Sequence, residues 1–379
     1  MKRNCMAVIC LALCTALLAG CAVLDETEID WSRLLSRQST PGQVYVDPLT
    51  GGEVVWPGQR PVAVTIENAT GNATQWGIGS ASVVLEALTS TGTDTSLCLV
   101  YPSVQAMPRV GPVAAGQDLY WRLLSGQQVI PVQRGGGTFD ENYLDYYSIR
   151  AVDAMETGVN AFSCADTWSN NPLWYTSGVA VNSVLEGLNI SAALTESRVT
   201  HSVTADGTQA ASDAEADTVL AVPSLLPQST QTHMTEATVE DATGIVLRFD
   251  DSNATGFAYD ASAGGYKMLR GSGVVQVDAN TGKQAVFDGL LVLYSTPSTR
   301  DDGVTLDYDL TMGGGVWFSG GQLWNITWTQ GASSTLAIYD ADGKALTLPA
   351  GRTYVALVAS LTGQELTVTS STGSNVLGG

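Results

Sequence analysis

Apolar residues in this chain fall in short runs separated by clusters of Gly, Asp, Asn and Ser. Residues 60–67, RPVAVTIE, alternate apolar with small or polar positions and predict a strand. The next run, GIGSASVVLEALTS, places Ile78, Ala81, Val84, Leu85 and Leu88 at helical spacing with Ser80 as an N-cap, and predicts a helix. SLCLVYPSV reads as a further strand, and QQVIPVQRGGG follows. Strand, helix and strand in that order predict a layered sheet-and-helix unit.

From Ile245 onward the signal is almost wholly β. Runs such as IVLRF, GFAYD, AVFDGLLVLYS, LWNITWT and TYVALVASL recur at roughly ten-residue intervals. Asn280-Thr281-Gly282, Asp302-Gly303, Gly320-Gly321 and Asp342-Gly343 supply turns between them. The expected fold class is α+β, with a sheet-and-helix N-terminal domain over 46–200 and a mostly antiparallel β domain over 238–362. Residues 201–237 are small, polar and weakly acidic, which predicts a linker or long surface excursion, and 363–379 a tail.

The chain's start carries an address. Lys2 and Arg3 precede an apolar stretch from Cys5 to Leu18, too short to span a bilayer, and Leu18-Ala19-Gly20-Cys21 has the form of a bacterial lipobox. Cleavage before Cys21 and its diacylation would leave 21–45 as a polar tether, with two acyl chains as a stable anchor. The expected location is the outer face of the bacterial cell membrane.

Charge narrows the partners. Of 17 basic and 37 acidic residues, removal of 1–20 takes Lys2 and Arg3 and no acid, leaving 15 against 37 and a net charge of −22. Such a surface repels nucleic acid. A hydrophobic fraction of 44% is that of a chain with a real core. Cys98 and Cys164 are the two cysteines left for the folded part, and in an oxidising compartment they form a candidate disulfide; separate buried thiols suit the same strand-like surroundings.

Several stretches, taken in order, resemble the YerB-like lipoprotein family, whose members carry two domains of unknown function. They are DPLTGG (47–52), RPVAVTIEN (60–68), GIGSASVVLEAL (77–88), RVGPV (109–113), WYTS (174–177), DANTGKQ (278–284), GGGVWFSGGQLWNITWT (313–329) and YDADGKALTLPAGRTYV (339–355). The resemblance implies an exported, surface-tethered protein in which layered sheets pack against helices. It also implies basic residues that this chain lacks: Ala114 and Gln117 stand where relatives carry arginines, and Gln133 and Gln276 where they carry histidines.

Candidate chemistry is sparse. GTFDENYLDYYSIR brings together Asp140, Glu141 and Asp145 with three tyrosines; paired carboxylates there could act on glycan, while a solvated acidic segment explains the run more simply. Asp166 beside Trp168 offers the same sugar-binding guess. DANTGK and DADGK resemble the start of calcium loops without the glutamate at the twelfth position, and β-turns explain both. RGGG at 134–137 lacks the lysine and hydroxyl residue of a phosphate loop. His201 and His233, the only histidines, both fall in the linker-like region, so neither a serine–histidine hydrolase nor a zinc site is expected. Glu86 among apolar neighbours must be paired, solvated or functional, with Arg109 the nearest basic candidate in sequence.

The candidate ligand cleft is therefore Glu86, Arg109, Asp140, Asp145 and Tyr175, with no cofactor, metal or catalytic residue assigned. The reading is a non-catalytic envelope lipoprotein that binds a ligand or partner, a cell-wall glycan or an envelope protein. The alternatives are a glycan-active enzyme using paired carboxylates and the substrate-binding lipoprotein of a transporter.

Overall fold

The structure is a computed structural model and describes residues 46–377, apart from 57, 69–73, 93, 166–171, 195–223, 272, 331–334 and 360–365. The signal segment, Cys21, the tether, Asp166, Trp168 and His201 lie outside the described residues.

A ten-stranded mixed sheet runs through the molecule. In spatial order its strands are Leu336–Tyr339, Gln322–Gln330, Met312–Ser319, Gly289–Tyr294, Thr353–Val358, Val83–Ala87, Ser96–Tyr101, Val62–Glu67, Ile130–Gln133 and Val152–Asp153. The seam between early and late sequence is Thr353–Val358, which pairs in parallel with Gly289–Tyr294 on one side and with Val83–Ala87 on the other. Two further parallel pairs join Val62–Glu67, Ile130–Gln133 and Val152–Asp153, so the carboxyl ends of those three strands lie along one edge of the sheet.

One face is covered by a second, antiparallel sheet in the order Val274–Val275, Gly265–Arg270, Ala254–Asp260, Gly244–Arg248, Leu366–Thr369. Its Ile245, Phe257, Tyr266 and Met268 pack on Val64, Val84, Leu290 and Tyr354 of the large sheet. On the opposite face Ala63, Leu85, Leu291, Trp317 and Trp328 pack against Leu119, Tyr120 and Trp121 of the Asp118–Leu123 helix and against Leu225 and Leu226. Each core draws on residues from both halves of the sequence.

The chain is thus mostly β, and among the described residues its α-helices are three short ones, Asp118–Leu123, Thr138–Tyr146 and Gly178–Leu185. This corrects the sheet-and-helix reading of the N-terminal half, where the helix expected over Ile78–Leu88 is the strand Val83–Ala87. That strand is central and buried on both faces, which removes the alternation that marks a half-exposed strand and leaves a run that is apolar except for the buried Glu86. Val83 and Val84, branched at Cβ, suit the pleat and disfavour the helix.

Two expected surface segments are also built in. Gln228–Ser229 pairs in parallel with Leu348–Pro349, so the described part of 201–237 lies against the body of the protein with Leu225 and Leu226 buried. In the expected tail, Leu366–Thr369 pairs with Gly244–Arg248 and the Val376 N–H returns to the Val368 carbonyl.

Candidate functional site

A small ribbon lies beside the end of the Val62–Glu67 strand, where Val113 bridges Ile66 and the Glu67 N–H donates to the Pro112 carbonyl at 2.8 Å. Arg109–Val110 pairs antiparallel with Leu173–Ser177, which pairs in turn with Ser163–Ala165. Beyond Val110 the ribbon meets Trp76, whose N–H donates to the Gly111 carbonyl at 2.8 Å while the Gly111 N–H donates to the Trp76 carbonyl at 3.2 Å. The turn after Trp76 requires Gly77: its φ is +92°, and a Cβ there would lie 2.5 Å from Tyr101 Oη. These constraints place Trp76 and Tyr175 beside each other against Arg109, their ring centroids 5.7 Å apart and their planes tilted by 54°. The guanidinium carbon sits 4.2 Å from the Trp76 ring centroid and 3.6 Å from that of Tyr175. Both rings present their negative faces to the cation.

The late sequence completes the surround. Asp278 is buried, and its carboxylate accepts from the N–H groups of Gly77 (3.2 Å), Gly79 (2.8 Å) and Asn280 (2.8 Å). Asn280 Nδ2 then donates to the Arg109 carbonyl at 2.8 Å. The DANTGK stretch is therefore a turn that seats the clamp loop.

Among the described arginines most are committed. Arg60 donates to the carbonyls of Gln128, Val129 and Ser191, and Arg352 to those of Ile78, Ala81 and Val286. Arg122 and Arg300 share Asp118 and Asp307, and Arg150 pairs with Glu156. Arg109, like Arg134 and Arg248, has no carboxylate partner among the described residues, and it alone of these arginines has a buried Nε without an acceptor. Arg134 stacks 5.4 Å from the ring of Trp174. Trp174 and Tyr175 are consecutive in one strand, so their side chains leave opposite faces and the two arginines flank the ribbon from its two sides.

The remaining expected cleft residues do not join this clamp. Arg109 and Tyr175 meet, whereas Glu86, Asp140 and Asp145 lie elsewhere. Glu86 is buried under the second sheet, where its carboxylate accepts from Asn68 Nδ2 (2.8 Å), Thr95 Oγ1 (2.7 Å), Thr255 Oγ1 (2.9 Å) and the Tyr354 hydroxyl. Burial raises its pKa above the usual carboxylate range against the pull of those donors. Arg270, not Arg109, is the cation that senses its charge.

Asp140 lies in the first turn of the Thr138–Tyr146 helix, only 2% exposed. It accepts from Trp121 Nε1 at 2.6 Å and from Gln133 Nε2 at 2.9 Å. The same Gln133 amide donates to Asp153 at 3.1 Å. Burial pushes the Asp140 carboxyl up to about 6. Asp145 is exposed on the same helix beside Tyr146 and Tyr147, so Asp140 and Asp145 do not form a pair. Burial also raises the half-buried Glu67, with Arg134 acting in the opposite sense.

The candidate disulfide is not made: Cys98 and Cys164 are both free thiols. Cys98 sits in the core strand Ser96–Tyr101 and Cys164 in the edge strand Ser163–Ala165, so each serves its own packing. His233 is exposed.

A model of the N-terminal domain of a protein family of unknown function, DUF3048, matches residues 49–193, and the model of that family's C-terminal domain matches 245–355. The chain belongs to the DUF3048 family. The YerB-like resemblance of its motifs has the same basis in structure: the fold is similar to the crystal structure of YerB protein from Bacillus subtilis, with a TM-score of 0.67 and 20% identity over 86% of this chain and 99% of that one. At that identity the likeness speaks for the fold alone. No curated protein matches the chain by sequence. In this DUF3048 protein the clamp residues Trp76, Arg109 and Tyr175 fall in the N-terminal match, and Asp278 and Asn280, which seat them, in the C-terminal match.

Sequence reading singles out neither Trp76, Asp153 nor any late-sequence partner of Glu86, and it marks Gln133 only as a departure from the family pattern. Trp76 had one available signal, a large aromatic directly before a glycine-containing turn.

Proposed function

We propose that this protein is an extracytoplasmic lipoprotein, anchored through diacylated Cys21 to the outer face of the bacterial cell membrane, that binds a ligand at the Arg109 clamp without transforming it. One observation carries the binding reading. In a protein of net charge −20, Arg109 is packed against two adjacent aromatic rings and left without an acidic partner among the described residues. A purely structural arginine would be expected to spend its donors on carboxylates or carbonyls, as Arg300 and Arg352 do.

The carboxylates favour binding over glycan hydrolysis. Asp140 is sealed under Trp121 and Gln133, and Asp145 points into solvent away from it. Glycoside chemistry needs two carboxyls facing one open bond. A transporter's receptor is less well supported, because strands from both halves build one shared sheet where that class has two repeated α/β lobes.

Two experiments test the two parts. Labelled palmitate should enter the wild-type protein in cells and not the Cys21→Ser variant. Thermal unfolding of residues 22–379 should shift upward with fragments of the cell wall, and the shift should vanish in Arg109→Gln. Equal shifts in both proteins would place binding away from the clamp.

A further inference from the structure

A cavity of about 330 Å³ lies at the amino ends of the three parallel strands Val62–Glu67, Ile130–Gln133 and Val152–Asp153. Among its lining residues, Arg60 precedes the first strand, Val129 and Pro131 flank the start of the second, and Ile149 precedes the third. Trp121, from the Asp118–Leu123 helix, adds an aromatic wall. The Arg109 ribbon meets the opposite, carboxyl end of Val62–Glu67, so cavity and ribbon are separate places on the protein.

The volume is at the lower end of the range for small-molecule sites, about 300–1,000 Å³. Charge narrows what fits. Among the described residues no carboxylate lines the cavity, and in its one cation, Arg60, each of the three guanidinium nitrogens already donates to a carbonyl. An anion would find no free donor charge there in a protein of net charge −20, and a cation would face Arg60 without a counter-ion. Ser125, Gln128 and Ser148 bring hydroxyl and amide groups to an otherwise apolar lining, which suits an uncharged ligand with many hydroxyls.

Two further observations set this cavity apart. Gln128 and Ser148 both hold φ at +52°, and among the described residues Asn189 is the one other side-chain-bearing residue with positive φ. Such conformations cost energy and gather at ligand sites. The second observation is a rim of three tyrosines in mutual contact, with Tyr143 and Tyr147 centroids 4.7 Å apart and Tyr146 and Tyr147 4.9 Å apart. Tyr143 hydrogen-bonds Ser125 of the lining, and Tyr147 directly precedes Ser148. Tyr146 is 81% and Tyr147 58% exposed, so their rings are open to a ligand. A tyrosine ring offers an apolar face and a polar tip, the complement of a pyranose with its C–H face and hydroxyl edge.

We propose that this cavity and its tyrosine rim bind an uncharged glycan, one pyranose unit entering beside Trp121 and the next lying on Tyr146 and Tyr147. The site is additional to Arg109 and stands independently of the reading of the ribbon.

The test is calorimetric titration of the whole exported chain, residues 22–379, with the trimer of N-acetylglucosamine, maltotriose and the cationic trimer of glucosamine. Wild type is compared with the double variant Tyr146→Ala, Tyr147→Ala. The expected result is saturable binding of at least one neutral trimer, at least tenfold weaker in the variant, and at least tenfold tighter than that of the glucosamine trimer. Should the variant unfold early, the nitrogen-15 resonance of the Trp121 indole in the wild type decides: it shifts as the neutral trimer binds, and an unmoved Trp121 at saturation overturns the proposal. Neutral binding that survives in the double variant and is lost in Arg109→Gln assigns the sugar to the ribbon and overturns this site alone. Tightest binding by the glucosamine trimer overturns the uncharged assignment. Absence of binding by all three trimers overturns the glycan site and leaves the Arg109 reading to its own test.

Discussion

Thr255 Oγ1 donates to Glu86 Oε1 at 2.9 Å across 169 residues of sequence. With Tyr354, Asn68 and Thr95 on the same carboxylate, this contact ties the second sheet and the seam strand to the early part of the large sheet. Glu86 thus replaces apolar packing at the point where both halves of the chain meet.

Truncating that carboxylate should be severe. Glu86→Ala leaves three hydroxyls and an amide buried without their acceptor, and an expected loss of about 3–5 kcal/mol follows from breaking a buried polar network. Glu86→Gln should cost less, since hydroxyl donors can turn to accept from its amide. Urea unfolding of both variants checks the order, and a Glu86/Thr255 double-mutant cycle should show coupling of at least about 0.5 kcal/mol.

Asp140 should make stability depend on pH in a defined window. Its ordinary value is 3.8 and the folded value about 6, so the folded state binds the proton more tightly than the unfolded chain. Stability contributed by the protonated form is full below about 3.8 and is lost as pH rises to about 6, by on the order of 3 kcal/mol. The difference in unfolding free energy between wild type and Asp140→Asn should therefore move in favour of the variant between pH 4 and pH 7.5. A difference that stays flat across that range contradicts the assignment.

The glycine loop packs directly on the same carboxylate. A Cβ on Gly136 would lie 2.1 Å from Asp140 Oδ2, so Gly136→Ala should destabilise by about 1–3 kcal/mol through overpacking. The same substitution in an Asp140→Ala background should cost measurably less. Equal costs in the two backgrounds, measured by urea unfolding, would show that the contact is not what excludes a side chain.

Arg300 grips Asp118 with two bonds, at 3.1 and 2.7 Å, and also reaches Asp307 at 3.1 Å, in a nearly buried setting where Arg300 is stacked on Phe139. Arg300→Lys keeps the charge and loses the paired geometry. It should cost about 2 kcal/mol, and salt should screen the contact less than it would an exposed pair.

What could be read in the sequence divides along physical lines. Strands with one wet face, such as Gly244–Arg248 and Gln322–Gln330, carry their own alternation and turns and were legible, and Val62–Glu67, though buried on both faces, kept a readable pattern because Ala63 and Thr65 alternate with larger apolar residues. Val83–Ala87 was not, because burial on both faces erases the period of two and leaves Ile78, Ala81, Val84 and Leu85 at a spacing that a helix shares. The pairing of Val83–Ala87 with Thr353–Val358 joins residues far apart in sequence, and no local pattern encodes it. The same limit applies to the site. Arg109 and Tyr175 were picked out from their stretches. Trp76 completes the clamp only through its hydrogen bonds to Gly111, while Asp145 was drawn in by closeness in sequence to Asp140 although the helix turns it outward.

The most direct measurement is nitrogen-15 NMR of the indole and arginine Nε–H groups while soluble cell-wall fragments are added to residues 22–379. The account predicts saturable shifts of the Trp76 and Arg109 resonances, with Trp317 and Trp328 in the core unmoved. Shifts confined to other groups, with Trp76 and Arg109 unmoved at saturating binding, would contradict it.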